Sequence, residues 1–208
     1  MAVGERFLRF RCTSCGNCCK EPLLPLNDLD VARLAAHTGD SPLKIVSWVT
    51  RHQIAMDDEP EAFVRLKQGK RVMVLGHRRG ACRYLGEDNR CSVYTARPSG
   101  CRVFPFDSTF TRDGRLKRLQ LIQVTECPYE LDGDNRVEQL RSQHERHHAE
   151  QQRYYDRVAE WNRLQERARR RGARLGAARA FLEFLGLTLA AGGCARGDRL
   201  AHLAPPRA

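Results

Sequence analysis

The stretch RCTSCGNCCK, residues 11–20, sets Cys12, Cys15, Cys18 and Cys19 within eight positions. Four thiols at that density point to a bound metal or cluster before they point to packing. Cys82, Cys91, Cys101, Cys127 and Cys194 follow downstream. Cys194 stands alone near the end, so the useful partition is eight against one. Four thiolates make one tetrahedral site and eight make two. The C-x2-C spacing puts two sulfurs on one side of a tight turn. Cys18 and Cys19 are consecutive, and in extended backbone their side chains would diverge to opposite faces. That vicinal pair favours a polynuclear or double site over one simple zinc.

A disulfide framework is the competing reading of the same cysteines. "MAVGERFLRF" lacks the apolar core and small-residue cleavage site of an export signal. No apolar run approaches the length of a membrane span. A cytoplasmic, reducing location is expected, where clustered cysteines serve metal or redox chemistry. At 208 residues the chain has room for a core and does not need staples.

Around the cysteines, an α+β fold is expected. In PLNDLDVARLAAHTG, Val31, Leu34, Ala35 and Thr38 share one helical face and Gly39 ends it. Ser41 and Pro42 open a second expected helix through about His52. Residues 62–125 read as a small antiparallel sheet. AFVRLK and RVMVL are its clearest strands, ACRYL and CSVY are shorter ones, and Asp113-Gly114 marks a hairpin. From about residue 135 Val137, Leu140, His144, His147, Tyr154, Val158 and Trp161 follow helical spacing. The expected organisation is a cysteine-cluster domain over 1–134, a basic helical extension over 135–190, and a disordered tail over 191–208.

The net charge is +11, and residues 136–208 carry 15 Arg against 8 acids. RARRRGAR, residues 167–174, holds five of those Arg. Nucleic acid or an anionic membrane surface is a candidate partner, with a solvated helix end as the plainer reading. His144, His147 and His148 have ligand-capable helical spacing, but no second Glu-x-x-His is present to complete a dinuclear carboxylate site. No phosphate-binding loop, dinucleotide fingerprint or nucleophile elbow occurs. Arg11, Lys20, Arg83, Arg90 and Arg102 each adjoin a cysteine of the set, where positive charge favours thiolate.

FRCTSCGNCC, followed by ACRYLGEDNRCSVYTARPSGCRVFPF, resembles the CxxCxxCC cysteine-cluster family, the YkgJ-like group of zinc- or iron-chelating proteins. The family's second block appears as Cys82–Leu85, Cys91–Tyr94 and Arg97–Pro105, with Tyr84 and Val93 as mild departures. The resemblance covers residues 7 to about 129. It implies metal chelation in a bacterial cytosolic protein. It also implies an iron–sulfur cluster or zinc held by Cys12, Cys15, Cys18, Cys19, Cys82, Cys91, Cys101 and Cys127. Two alternatives stay open: an enzyme using that centre for redox or group transfer, and a nucleic-acid-binding module with structural zinc.

Overall fold

The computed structural model describes residues 6–122 and 126–187. Two very short strands, β1 (Phe7–Leu8) and β2 (Arg11–Cys12), precede a 3-10 turn at Asn17–Cys19. Helix α1 (Asp28–Thr38) forms as its sequence predicts. Asn27 and Asp30 close a reciprocal capping box at its start, and Gly39 ends it at φ +72°. Val31 and Leu34 on its inner face are fully buried.

The second expected helix is corrected. Pro42 starts α2 (Pro42–Ile45), which lasts one turn before the chain enters strand β3 (Val46–Val49). Val46, Trp48 and Val49 are strand formers, and the apolar run Val72–Leu75 offers them an antiparallel partner. Strands β4 (Val64–Leu66) and β5 (Gly69–Leu75) complete a three-stranded antiparallel sheet in the order β3-β5-β4.

The expected sheet over 62–125 is antiparallel but divided, with residues 123–125 outside the described residues. β6 (His77–Arg78) and β7 (Ala81–Cys82) form one small ladder. Helix α3 (Ser99–Val103) follows, then the hairpin β8 (Phe106–Phe110) and β9 (Leu116–Leu121). Gly114 takes φ +79° in the turn of that hairpin, where Asp113-Gly114 predicts one. The expected strand CSVY does not form. Cys91 makes a single bridge to Leu85, and Tyr94–Ala96 turns as a 3-10 helix.

Strands β10 (Tyr129–Glu130) and β11 (Asn135–Arg136) return to the beginning of the chain. β10 pairs with β2 and β11 with β1. Helix α4 (Val137–Arg170) then runs 34 residues, about 50 Å at 1.5 Å per residue. Its buried positions Tyr154, Val158, Trp161 and Gln165 lie on one stripe. Asn162 accepts from the Arg65 N–H (2.7 Å) and donates to the Phe63 carbonyl (2.8 Å), while Trp161 donates to the Arg65 carbonyl (2.8 Å). These bonds satisfy the open edge of β4, which would otherwise expose unpaired backbone.

Helix α5 (Ala178–Phe184) brings Phe181 and Leu182 into the same core as Ile45, Met73, Val74 and Val158, all at 0% exposure. Each such side chain contributes about 1.5–3 kcal/mol by leaving water. The tail expected to be disordered lies outside the described residues, as does Cys194. Among the described residues no helix is long and apolar enough to cross a membrane.

Candidate metal centre

The C-x2-C-x2-CC loop is shaped by its backbone. Ser14 and Gly16 take positive φ (+58° and +76°), and the Cys19 N–H donates to the Gly16 carbonyl at 3.0 Å. Glycine is needed at 16 twice over. The backbone is left-handed there, and a Cβ would stand 3.0 Å from the Asn89 carbonyl oxygen. The first cysteine loop therefore touches the turn between Cys82 and Cys91.

The eighth cysteine is brought in from the far end of the domain. Thr13 donates to the Pro128 carbonyl (2.6 Å), and Asn17 donates to the Glu126 carbonyl (2.6 Å). Cys12 pairs with Tyr129 across β2 and β10. Between these ties the Cys15 and Cys127 sulfurs stand 3.6 Å apart. Four sulfurs at the usual 2.3 Å from a metal ion are spaced about 3.8 Å along a tetrahedral edge. This pair already has nearly that spacing.

All eight cysteines line two adjoining cavities of about 500 and 510 Å³. Cys19, Cys82 and Cys91 belong to the first and Cys15 and Cys127 to the second, while Cys12, Cys18 and Cys101 face both. Among the described residues no three Cys, His, Asp or Glu groups converge closely enough to hold an ion as they stand. The thiols are gathered on the walls rather than closed onto a point.

Their electrostatics show what the cavities want. The Cys18 thiol is held protonated well above its ordinary range by a hydrogen bond with Cys19, then by burial; Arg97 offsets this weakly. For Cys19 the bond with Cys18 acts downward, yet the bond with Cys82, burial and the Cys82 and Cys91 charges push it up to about 11. Cys82 is lowered, first by its hydrogen bond with Cys19. Cys101 is raised by burial and then by Cys19 and Cys18. Crowded, half-buried thiols resist becoming anions together, and a cation among them reverses that balance. The donor set thus fits a thiophilic metal or cluster.

The expected divergence of Cys18 and Cys19 does not occur. Their backbone is a 3-10 turn, not extended, and both cysteines line the first cavity. Cys101 sits on helix α3.

Nothing in the cysteine pattern marks the group that fixes α3. Asp30, 1% exposed on α1, accepts from the Ser99 N–H (2.7 Å) and the Ser99 hydroxyl (3.3 Å). Arg33 donates to the same carboxylate at 2.8 Å, and His147 Nδ1 lies 3.0 Å from Ser99 Oγ. The capping signal in NDLD was the available clue to Asp30, but it points to α1 alone.

Three of the basic neighbours have structural work. Arg11 makes two hydrogen bonds to Asp132, Arg83 pairs with Asp40, and Arg102 donates to the Thr95 and Arg97 carbonyls. Arg97 lies 4.1 Å over the Tyr94 ring and faces both cavities. The three helical histidines do not form a ligand set. His144 is buried beside Phe106, His147 meets Ser99, and His148 stacks on Phe110 at 3.9 Å.

A family model described as "CxxCxxCC: Putative zinc- or iron-chelating domain" matches residues 11–128, more than half of the chain. No curated protein and no solved structure matches it.

Proposed function

This chain belongs to the CxxCxxCC family, and we propose that it is a metal-binding protein whose polythiolate centre is its functional core. The carrying observation is that eight cysteines from separate parts of the chain line two adjoining cavities. On this reading Cys19, Cys82, Cys91 and Cys101 serve the first cavity. Cys12, Cys15 and Cys127 serve the second, and Cys18 stands between them.

An all-sulfur donor set suits zinc and iron–sulfur clusters alike. The spread of eight cysteines over two adjoining cavities suits a polynuclear occupant, an iron–sulfur cluster, better than a single zinc ion. The wall also supplies what a negatively charged thiolate centre needs, since Arg97 faces both cavities.

Anaerobic purification followed by iron, sulfide and zinc determination tests this. Brown protein with stoichiometric iron and sulfide supports the cluster. Colourless protein with two zinc ions keeps the metal centre and overturns the cluster. Folded protein that takes up neither, with all thiols freely titratable, overturns the metal centre itself.

A further inference from the structure

We infer that the C-terminal end of α4 and the tip of the β4–β5 hairpin form one surface that binds the phosphate backbone of double-stranded nucleic acid. The two segments are about a hundred residues apart in sequence, and the fold sets them side by side. The Lys67 N–H donates to the Gly176 carbonyl at 2.9 Å, and the Arg65 guanidinium lies 3.6 Å from the Glu166 carboxylate. The tip RLKQGKR, residues 65–71, therefore adjoins RARRRGAR.

Few carboxylates answer this charge. Glu166 is saturated, held down to about 2 by hydrogen bonds from Arg169 and Arg170 and by the nearby Arg65. Lys67 and Lys70 on the hairpin, Arg163 and Arg167 on the helix, and Arg171 just past its end are exposed and have no ion pair among the described residues. Arg163 and Arg167 lie one turn apart on the face opposite the buried stripe of Trp161 and Gln165. The cations thus spread from the outer face of the helix across its flank to the hairpin tip. Arg in the last helical turn also complements the helix dipole. That role accounts for neither Arg163 nor the two lysines.

The partner follows from what the patch contains and lacks. Guanidinium forks suit phosphate oxygens. The exposed aromatic residues among those described are Phe7 and Tyr94, both elsewhere. Stacking on unpaired bases therefore has no platform here. Leu164 is the one large apolar side chain exposed within this stretch of helix, and the rest of the apolar face is spent on the core. A membrane-surface helix needs that face free. A repeating line of phosphates is the anion the patch fits.

Fluorescence anisotropy of a labelled duplex of about 20 bp, titrated with the full chain, tests this across a salt series. Binding should weaken by about 100-fold or more between roughly 50 and 200 mM salt. Lys67→Glu with Lys70→Glu, and separately Arg163→Glu with Arg167→Glu, should each weaken it about 10-fold or more and flatten the salt slope by about two. Arg112→Glu with Lys117→Glu, an equal charge change at the β8–β9 hairpin, should leave affinity within about twofold. Neutral Lys67→Gln with Lys70→Gln should show the same loss in smaller measure, with circular dichroism reporting the fold. No binding at low salt overturns the inference. So does a hairpin variant that binds like the parent, a control that loses as much, or tighter binding to phosphatidylserine vesicles than to duplex.

Discussion

The sulfurs of Cys15 and Cys127 lie 3.6 Å apart although 112 residues separate them. That contact is one side of the second cavity, whereas Cys91 faces only the first. Cys127→Ser should therefore remove metal bound in the second cavity and spare that in the first, and Cys91→Ser should do the reverse. Metal analysis of each variant checks this. Equal loss of all metal in both would show one undivided centre.

Asp30 ties the first turn of α1 to the first turn of α3, which carries Cys101 two residues later. Asp30→Ala strands the buried Ser99 N–H and takes from Arg33 the nearer of its two carboxylate partners, leaving Glu150 at 3.6 Å. A loss of about 3 kcal/mol is expected in urea unfolding. Groups that orient ligands typically matter 10–100-fold in metal affinity. Competition with a chelator should show about that loss, with Asp30→Asn intermediate.

His144 is 0% exposed, and neither ring nitrogen has a hydrogen-bond partner among the described residues. Burial, with a smaller contribution from His147, lowers its pKa to about 4. The unfolded chain therefore binds a proton more readily than the folded one. Stability contributed by the neutral ring is complete above about pH 6.5 and is lost as pH falls towards 4. The loss amounts to at most about 3 kcal/mol. Urea midpoints measured across this window should fall with pH, and His144→Leu should flatten that part of the profile.

Gly16→Ala should be costly despite its small size. The residue sits at φ +76° with Asn89 backbone and side-chain atoms 3.0 and 3.1 Å from where a Cβ would go. About 1–3 kcal/mol of destabilisation is expected, measurable by thermal melting. The substitution should also lower metal uptake, because it pushes the first cysteine loop off the Cys82–Cys91 turn. Gly39→Ala, at φ +72° but with nothing within 4 Å, should affect stability alone.

Sequence reading reached the parts of the fold governed by local chemistry. Gly39 ends α1, Asp113-Gly114 turns a hairpin, and the long amphipathic pattern from Val137 is one helix. It misread Val46–Val49 because a helical start at Pro42 gave no warning that β5 would recruit the next four residues. The vicinal cysteines were misjudged for a similar reason. Whether Cys18 and Cys19 diverge depends on a 3-10 turn fixed by Gly16 and its neighbours, not on adjacency. Asp30 was invisible as part of the site because its partner Ser99 lies 69 residues away. Spacing in one dimension finds donors, but not the groups that hold them.

The pairing of β2 with β10 has a consequence for synthesis. A ribosome-bound chain displays seven of the eight clustered thiols before Cys127 is made, and Cys12 lacks Tyr129 until just after. The second cavity is therefore unfinished while most of the domain has already emerged. Loading of the second cavity must wait for residue 130 to clear the exit tunnel, whereas every cysteine of the first is made by residue 101. Until then the nascent chain carries a cluster of reactive sulfurs that oxidants and stray metal ions can reach first.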